Sequence, residues 1–110
     1  MDPRIQRLVA FIEGNPHQRL SLGIMARSIG LSTSRLRHKF KSEVGITPTA
    51  YVRIIRMRVA ANLLKTKELS IKEVRAAIGL ESDSYFTHQC RRMFGAPPSR
   101  IKNSMRISSP

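Results

Sequence analysis

Residues 21–45 read SLGIMARSIGLSTSRLRHKFKSEVG, and residues 70–95 read SIKEVRAAIGLESDSYFTHQCRRMFG. Each stretch begins with serine, a preferred helix N-cap, and reaches an Ile-Gly-Leu sequence eight residues later. Glycine after a short apolar helix favours a left-handed turn, and a second serine, Ser32 or Ser82, then caps a following helix. Each stretch therefore predicts a short helix, a tight turn and a longer helix, which is the outline of a helix-turn-helix unit.

The two stretches are copies of one unit, and the second copy is one residue longer. Residues 21–31 correspond to residues 70–80 at an offset of 49, whereas residues 36–48 correspond to residues 86–98 at an offset of 50. The additional residue falls in the turn between the two helices, where insertions are best tolerated. This pattern indicates an internal duplication.

The rest of the chain completes an all-α prediction of seven helices. Asp2 and Pro3 open a first helix that stops near Asn15, Pro48 opens a long helix without glycine or proline, and Pro98 opens the last. Alternation typical of strands is nearly absent. We predict a first helix-turn-helix unit over residues 1–46, a linker helix over 47–67, a second unit over 68–103 and a frayed polar tail over 104–110.

The charge of the chain indicates a polyanionic partner. Its 110 residues include 20 Lys and Arg against 7 Asp and Glu, which gives a formal net charge of +13. Its apolar runs are too short for a membrane span or a signal peptide, so we expect a soluble cytoplasmic protein without membrane partners. Cys90 is the only cysteine, and no Cys/His cluster has metal-ligand spacing, so we expect no metal and no cofactor.

The longer helix of each unit has one apolar and one polar side at 100° per residue. The polar sides repeat a serine, a histidine four residues later and a terminal base. The predicted buried sides are Leu36, Phe40 and Val44 in one helix and Phe86, Cys90 and Phe94 in the other. The predicted solvent sides are Ser34, His38 and Lys41 with Arg37 beside them, and Ser84, His88 and Arg91 with Thr87 beside them.

Repeated polar residues on two equivalent helices favour a shared ligand, which we interpret as the major groove of DNA. Arg37 suits paired hydrogen bonds to guanine O6 and N7, while Lys41 and Arg91 suit phosphates. The alternative is an ordinary solvated face, with exposed histidines of no special role. Asp83 has two interpretations: an acid that favours the start of its helix, or an acceptor for cytosine N4.

The chain resembles the DNA-binding domain of AraC/XylS-type bacterial transcription regulators over nearly its whole length. The resemblance rests on MARSIGLSTSRLRHKF, on GITPTAYVRIIRMRVAANLLKTKELSIKEV and on IGLESDSYFTHQCRRMFGAPPSRIK. It implies two helix-turn-helix units bridged by one long helix, with each recognition helix in a successive major groove. The base-contacting positions implied by the resemblance are Ser34, Arg35, Arg37 and His38, and Asp83, Ser84, Tyr85, Thr87 and His88.

Three residues of the second unit depart from the pattern of that family. Arg75 stands where alanine is usual, and Leu80 and Cys90 each replace a common phenylalanine. A long charged side chain at a small packing position must extend outward or tilt the helix. Cysteine for phenylalanine removes core volume worth ~1 to 3 kcal/mol unless neighbours fill it. We therefore expect weaker packing beneath the second recognition helix.

The resemblance also sets expectations for partners and context. Promoter double-stranded DNA is the expected partner in the bacterial nucleoid, RNA polymerase is a candidate second partner, and the domain alone is expected to be monomeric. Activation is the expected mode of regulation. The opening DPRIQRLVAFIE resembles the segment that precedes such domains in longer regulators with a DJ-1/PfpI-like sensor, which suggests a C-terminal domain.

Two other classes of function compete with this interpretation. The charge alone would suit a nonspecific nucleic-acid or RNA binder, but such a protein needs stacking aromatics. Tryptophan is absent, aromatic residues are 5% of the chain, and Phe40, Phe86 and Phe94 are all predicted to be buried. An enzyme is not expected, because the sequence has no paired carboxylates, nucleophile-base arrangement or phosphate loop.

Overall fold

The computed structural model describes residues 1–66 and 68–107, and every regular element in these ranges is an α-helix. This confirms the predicted all-α class with seven helices. No helix in these ranges is long and apolar enough to span a membrane. The helices in chain order are α1 (Pro3–Gly14), α2 (Leu22–Ser28), α3 (Thr33–Val44), α4 (Pro48–Thr66), α5 (Ile71–Ala77), α6 (Asp83–Phe94) and α7 (Pro98–Ile107).

Serine caps begin both helices of each helix-turn-helix unit, as the sequence predicts. The Oγ atoms of Ser21 and Ser32 accept hydrogen bonds from the backbone N–H three residues later, at 3.1 and 3.2 Å. Ser70 and Ser82 do the same at 3.0 and 3.1 Å. Ser70 also forms a capping box, because the Glu73 carboxylate accepts its backbone N–H at 2.9 Å.

The turns between the paired helices have matching backbone conformations. Gly30 and Gly79 have φ angles of +71° and +72°, in the left-handed region that glycine enters without steric cost. The residue after each glycine then donates its N–H back across the turn at 3.0 Å, from Leu31 to Ala26 O and from Leu80 to Arg75 O. The repeated Gly-Leu sequence is therefore explained by the backbone of the turn.

The first compact unit comprises Met1–Ile55. Its core is formed by apolar residues that α1, α2, α3 and the beginning of α4 contribute. The Phe40 and Tyr51 rings lie 5.7 Å apart at 49°, and Tyr51 Oη donates to Glu13 Oε1 at 3.0 Å. The buried members are Ile5, Leu8, Ile12, Met25, Ala26, Leu36, Phe40, Val52 and Ile55.

The second compact unit comprises Arg56–Pro110 and has its own core. Leu80 and Met93 pack partly buried against that core. Cys90, which stands where the resemblance leads one to expect phenylalanine, is fully buried within it. The buried members are Met57, Ala60, Leu64, Val74, Ile78, Phe86 and Cys90.

Helix α4 belongs to both cores, which refines its predicted role as a linker over residues 47–67. Val52 and Ile55 are buried in the first core, whereas Met57 and Leu64 are buried in the second. The helix thus supplies apolar side chains to each unit and is not a bare connector. Lys67, the last residue of the predicted linker, lies outside the described residues.

The predicted buried side of the second recognition helix is wrong at Phe94, which is 39% exposed. Eight steps of 100° place Phe94 about 80° around the helix from Phe86, at the edge of the buried side. Gln89, only 4% exposed, and the partly buried Met93 complete the buried side with Phe86 and Cys90. The polar residue Gln89 therefore lies on the buried side of α6, where the sequence predicted the apolar Phe94.

Helix α7 extends beyond the start of the predicted tail. The prediction placed a frayed segment over residues 104–110, whereas α7 continues to Ile107. No glycine or proline occurs between Pro98 and Pro110, so the backbone has no residue that strongly opposes the helix. Residues 108–110 of the predicted tail lie outside the described residues.

Candidate nucleic-acid interface

Helix α3 presents all five of the candidate residues of the first unit to solvent. The cap at Ser32 and the burial of Leu36 and Phe40 fix the rotation of this helix. The side opposite those two residues is consequently polar and exposed. The exposed candidates are Ser34, Arg35, Arg37, His38 and Lys41.

The bases of α3 fall into two groups. Lys39 is partly exposed, and its Nζ is 3.4 Å from Asp2 Oδ2. Within the described residues, Arg35, Arg37 and Lys41 form no ion pair. Their charge is therefore not neutralised within the unit, and it faces solvent where a polyanion could approach.

A shallow concave surface runs beside α3 within the first unit. Four of its residues, at positions 34, 35, 38 and 42, come from one side of α3. Ser42 was not predicted from the sequence, although its spacing of four from His38 continues the series that Ser34 begins. Arg4, whose Nη2 is 3.0 Å from Asp2 Oδ2, was not predicted either. The lining residues are Arg4, Leu31, Ser34, Arg35, His38, Lys39, Ser42 and Glu43.

Helix α6 presents the candidate residues of the second unit with one exception. Thr87 is half-buried, so its side chain extends less far into solvent than that of its counterpart Arg37 in the first unit. Tyr85, implied only by the family resemblance, is 43% exposed. The exposed candidates of the second unit are Asp83, Ser84, Tyr85, His88 and Arg91.

Asp83 is the first residue of α6, and its neighbour Ser82 is the N-cap. Its carboxylate is in the first turn, where a negative charge favours the helix dipole. Asp83 Oδ1 also lies 3.7 Å from Arg75 Nε. The Arg75 side chain is only 16% exposed, so it does not extend freely into solvent as one of the two expectations had it. Its Nη1 donates to the backbone oxygen of Glu81 in the turn.

Cys90 lies beneath this face and takes no direct part in it. Burial raises the pKa of its thiol to about 11, because desolvation disfavours the thiolate. Its neighbours in the core are apolar. Cys90 is therefore a packing residue that supports α6.

The family described as "Helix-turn-helix domain" matches this chain over residues 25–104. A solved transcriptional regulator from Chromobacterium violaceum, described as having an AraC-type DNA-binding domain, is similar with 26% identity and a TM-score of 0.84. The similarity covers 97% of this chain and 96% of that one. The chain belongs to the AraC/XylS family of helix-turn-helix domains. This confirms the family that the sequence resembles.

Two further known proteins are similar to this chain. The virulence regulon transcriptional activator VirF of Yersinia enterocolitica is 34% identical over 97 residues, which are 88% of this chain and 36% of VirF. The DNA-binding domain of AdpA, a global transcriptional factor solved with a target DNA, has a TM-score of 0.90 at 23% identity and covers 94% of each chain. The AdpA comparison shows a shared fold. The chain spans about a third of the length of the curated relatives it matches.

Proposed function

We propose that this chain binds double-stranded DNA sequence-specifically, with α3 and α6 as recognition helices in successive major grooves, and so regulates transcription. The observation that supports this most strongly is the repeated exposed face on two helices that each begin with a serine cap after a Gly-Leu turn. A solvated face does not require the same polar residue at equivalent places. Family membership and the AdpA–DNA complex support the same class of ligand.

The exposed residues of the two helices divide into base contacts and phosphate contacts. Arg37 donates two hydrogen bonds to guanine O6 and N7, while Ser34 and His38 contact neighbouring base edges. Lys41 and Arg91 neutralise phosphates and position the helices. Since α3 has more exposed bases than α6, the first unit supplies more of the electrostatic attraction.

The proposed site on DNA has two related segments in the same orientation, about one helical turn apart. The shared serine, histidine and terminal base make the segments similar, whereas Arg37 and Thr87 make them different. The partner is promoter DNA in the bacterial cytoplasm, and this part of the chain binds it as a monomer. The similarity to the activator VirF supports transcription activation as the mode of regulation. RNA polymerase is the second partner in this proposal.

Competition with bulk DNA tests this proposal. A labelled fragment carrying a selected site is bound at fixed salt, and unlabelled genomic DNA is added in increasing excess. Specific recognition predicts that the complex survives at least about a thousandfold excess of bulk DNA by base pairs. Loss of the complex at an equal mass of bulk DNA would contradict specific recognition.

A nonspecific nucleic-acid binder is the second candidate, and exposed aromatic side chains favour it. Phe11, Tyr85 and Phe94 are each about 40% exposed, whereas Phe94 was predicted to be buried. Exposed aromatics can stack on unpaired bases. This candidate predicts equal competition by single-stranded and double-stranded DNA of any sequence. Selective competition by double-stranded DNA of one sequence would contradict it.

A further inference from the structure

The first unit provides an internal reference for Arg75 in the second. At the offset of 49, Arg75 of α5 corresponds to Ala26 of α2, which is buried beneath its turn. The Arg75 side chain is also mostly buried, with 16% exposed. Burial of a guanidinium is unfavourable unless acceptors and opposite charge surround it. The partners of Arg75 therefore indicate why an arginine can occupy a position that suits alanine.

The first partner of Arg75 is the residue that lengthens the turn. The offset between the copies changes from 49 to 50 between Leu80 and Ser82, so Glu81 has no counterpart in the first unit. Arg75 Nη1 donates a hydrogen bond to the backbone oxygen of Glu81 at 2.5 Å. The longer side chain and the longer turn thus occur together and contact each other. Arg75 fixes the segment that leads directly into α6.

The second partner of Arg75 is Asp83, the first residue of α6. The two charges are 3.7 Å apart, and Arg75 Nε is buried without a hydrogen-bond partner among the described residues. The Asp83 side chain is 72% exposed. Its carboxylate is therefore attracted to Arg75 on one side and accessible on the other. In the first unit the corresponding residues are Ala26 and Thr33, which have no charge.

An acidic side chain at a DNA interface is repelled by the phosphates unless a cation offsets its charge. We propose that Arg75 is a positioning residue that holds the Asp83 carboxylate and offsets its charge, so that Asp83 accepts a hydrogen bond from cytosine N4 in the segment that α6 contacts. This inference rests on the proposed function, because it requires α6 to enter the major groove. It gives the second unit a base preference that the first unit does not have.

Base preference distinguishes this role from a purely structural one. Sites are selected from random double-stranded DNA with the unaltered protein and with Asp83→Asn, and the position whose base changes is identified. Dissociation constants are then measured for the four base pairs at that position. The unaltered protein is expected to prefer cytosine by about tenfold, and both Asp83→Asn and Arg75→Ala should lose most of this preference. The double variant should lose no more than either single variant.

Two further variants separate the proposed contact from charge and folding effects. Arg92→Ala removes an exposed base of α6 and should weaken all four sequences alike while keeping the cytosine preference. Arg75→Lys keeps the charge and should retain part of the cytosine preference. This variant also provides the test if circular dichroism shows that Arg75→Ala does not fold. Full cytosine preference in Asp83→Asn, or in both Arg75 variants, would overturn the inference.

The failure of this inference is distinguishable from failure of the proposed function. If the unaltered protein selects a defined site but its preferences are unchanged by Asp83→Asn, only the role of Arg75 and Asp83 is wrong. If the unaltered protein selects no site, the proposed sequence-specific binding is itself contradicted.

Discussion

The backbone N–H of Asp2 donates to Glu43 Oε1 at 2.8 Å, which ties the N-cap of α1 to the last turn of α3. Asp2 uses its carboxylate at the same time, accepting from the backbone and side chain of Arg4 and lying near Lys39. The start of α1 and the adjacent side of the first recognition helix are therefore connected by charged groups. Lys39 and Glu43 also line the concave surface beside α3.

The stability of the first unit should depend on the ionisation of Asp2. Hydrogen bonds from Arg4 hold the pKa of the Asp2 carboxyl well below its ordinary value of 3.8. A carboxyl whose pKa is lower in the folded state than in the unfolded state stabilises the fold at pH values above its unfolded-state pKa. This contribution is lost as the pH falls through its folded-state pKa. Asp2→Asn keeps a good N-cap but removes the charge. The difference in unfolding free energy between the two proteins should therefore be largest near neutral pH and shrink below about pH 4.

Urea unfolding across a pH series, followed by circular dichroism, provides this measurement. A difference between the two proteins that stays constant from neutral pH into strong acid would show that the ionised carboxylate adds nothing.

Arg37→Ala should weaken binding to the selected site by about 1 to 3 kcal/mol and relax one base position. The reason is loss of two hydrogen bonds to guanine from a side chain that forms no ion pair within the described residues. Fluorescence anisotropy with the selected site and its single-base variants measures the effect. Arg7→Ala, which removes an exposed arginine of α1, is the matched control and should leave base preference unchanged. Equal weakening of all sequences by Arg37→Ala would contradict base contact.

Lys41→Ala should change the salt dependence of binding and leave base preference intact. Each phosphate contact releases counterions, so the slope of log K against log salt should fall by about one unit. Titrations at several salt concentrations measure this slope. Lys72→Ala removes an exposed lysine of α5 outside both candidate faces and should not alter it. An unchanged slope for Lys41→Ala would exclude Lys41 from the phosphate contacts.

Cys90 should resist thiol reagents in the folded protein. Burial raises its pKa from 9.0 to about 11, so at pH 8 the reactive thiolate should be roughly a hundredfold rarer than in the unfolded chain. Labelling with a chromogenic disulfide should be slow in native buffer and fast in denaturant. Because Cys90 is the only cysteine, labelling reports opening of the second core alone. Rapid labelling in native buffer would contradict the packing of α6.

The helices were largely predictable because local chemistry determines their ends. Each serine cap and each Gly-Leu turn involves residues within a few positions of one another, and the structure places Ser21 and Ser70 as caps as predicted. The exposure of Arg37 and Lys41 followed from helical periodicity for the same reason. Their contacts with DNA stay a prediction, since exposure is necessary for contact but does not establish it.

The errors arise where tertiary packing decides the outcome. Phe94 is apolar, yet its angular position near the end of α6 leaves it exposed while Gln89 is buried. The ion pair of Arg75 with Asp83 joins α5 to the first residue of α6 across the turn. The sequence indicated that Arg75 was unusual, but only the structure identifies Glu81 and Asp83 as its partners.

Selection of bound sequences from random double-stranded DNA tests the central claim most directly. The account predicts an enriched site with two related but non-identical segments in the same orientation, about one helical turn apart. Arg37→Ala should remove the preference in one segment only. Enrichment of no common sequence, or of sites that Arg37→Ala and Asp83→Asn both leave unchanged, would contradict recognition by α3 and α6.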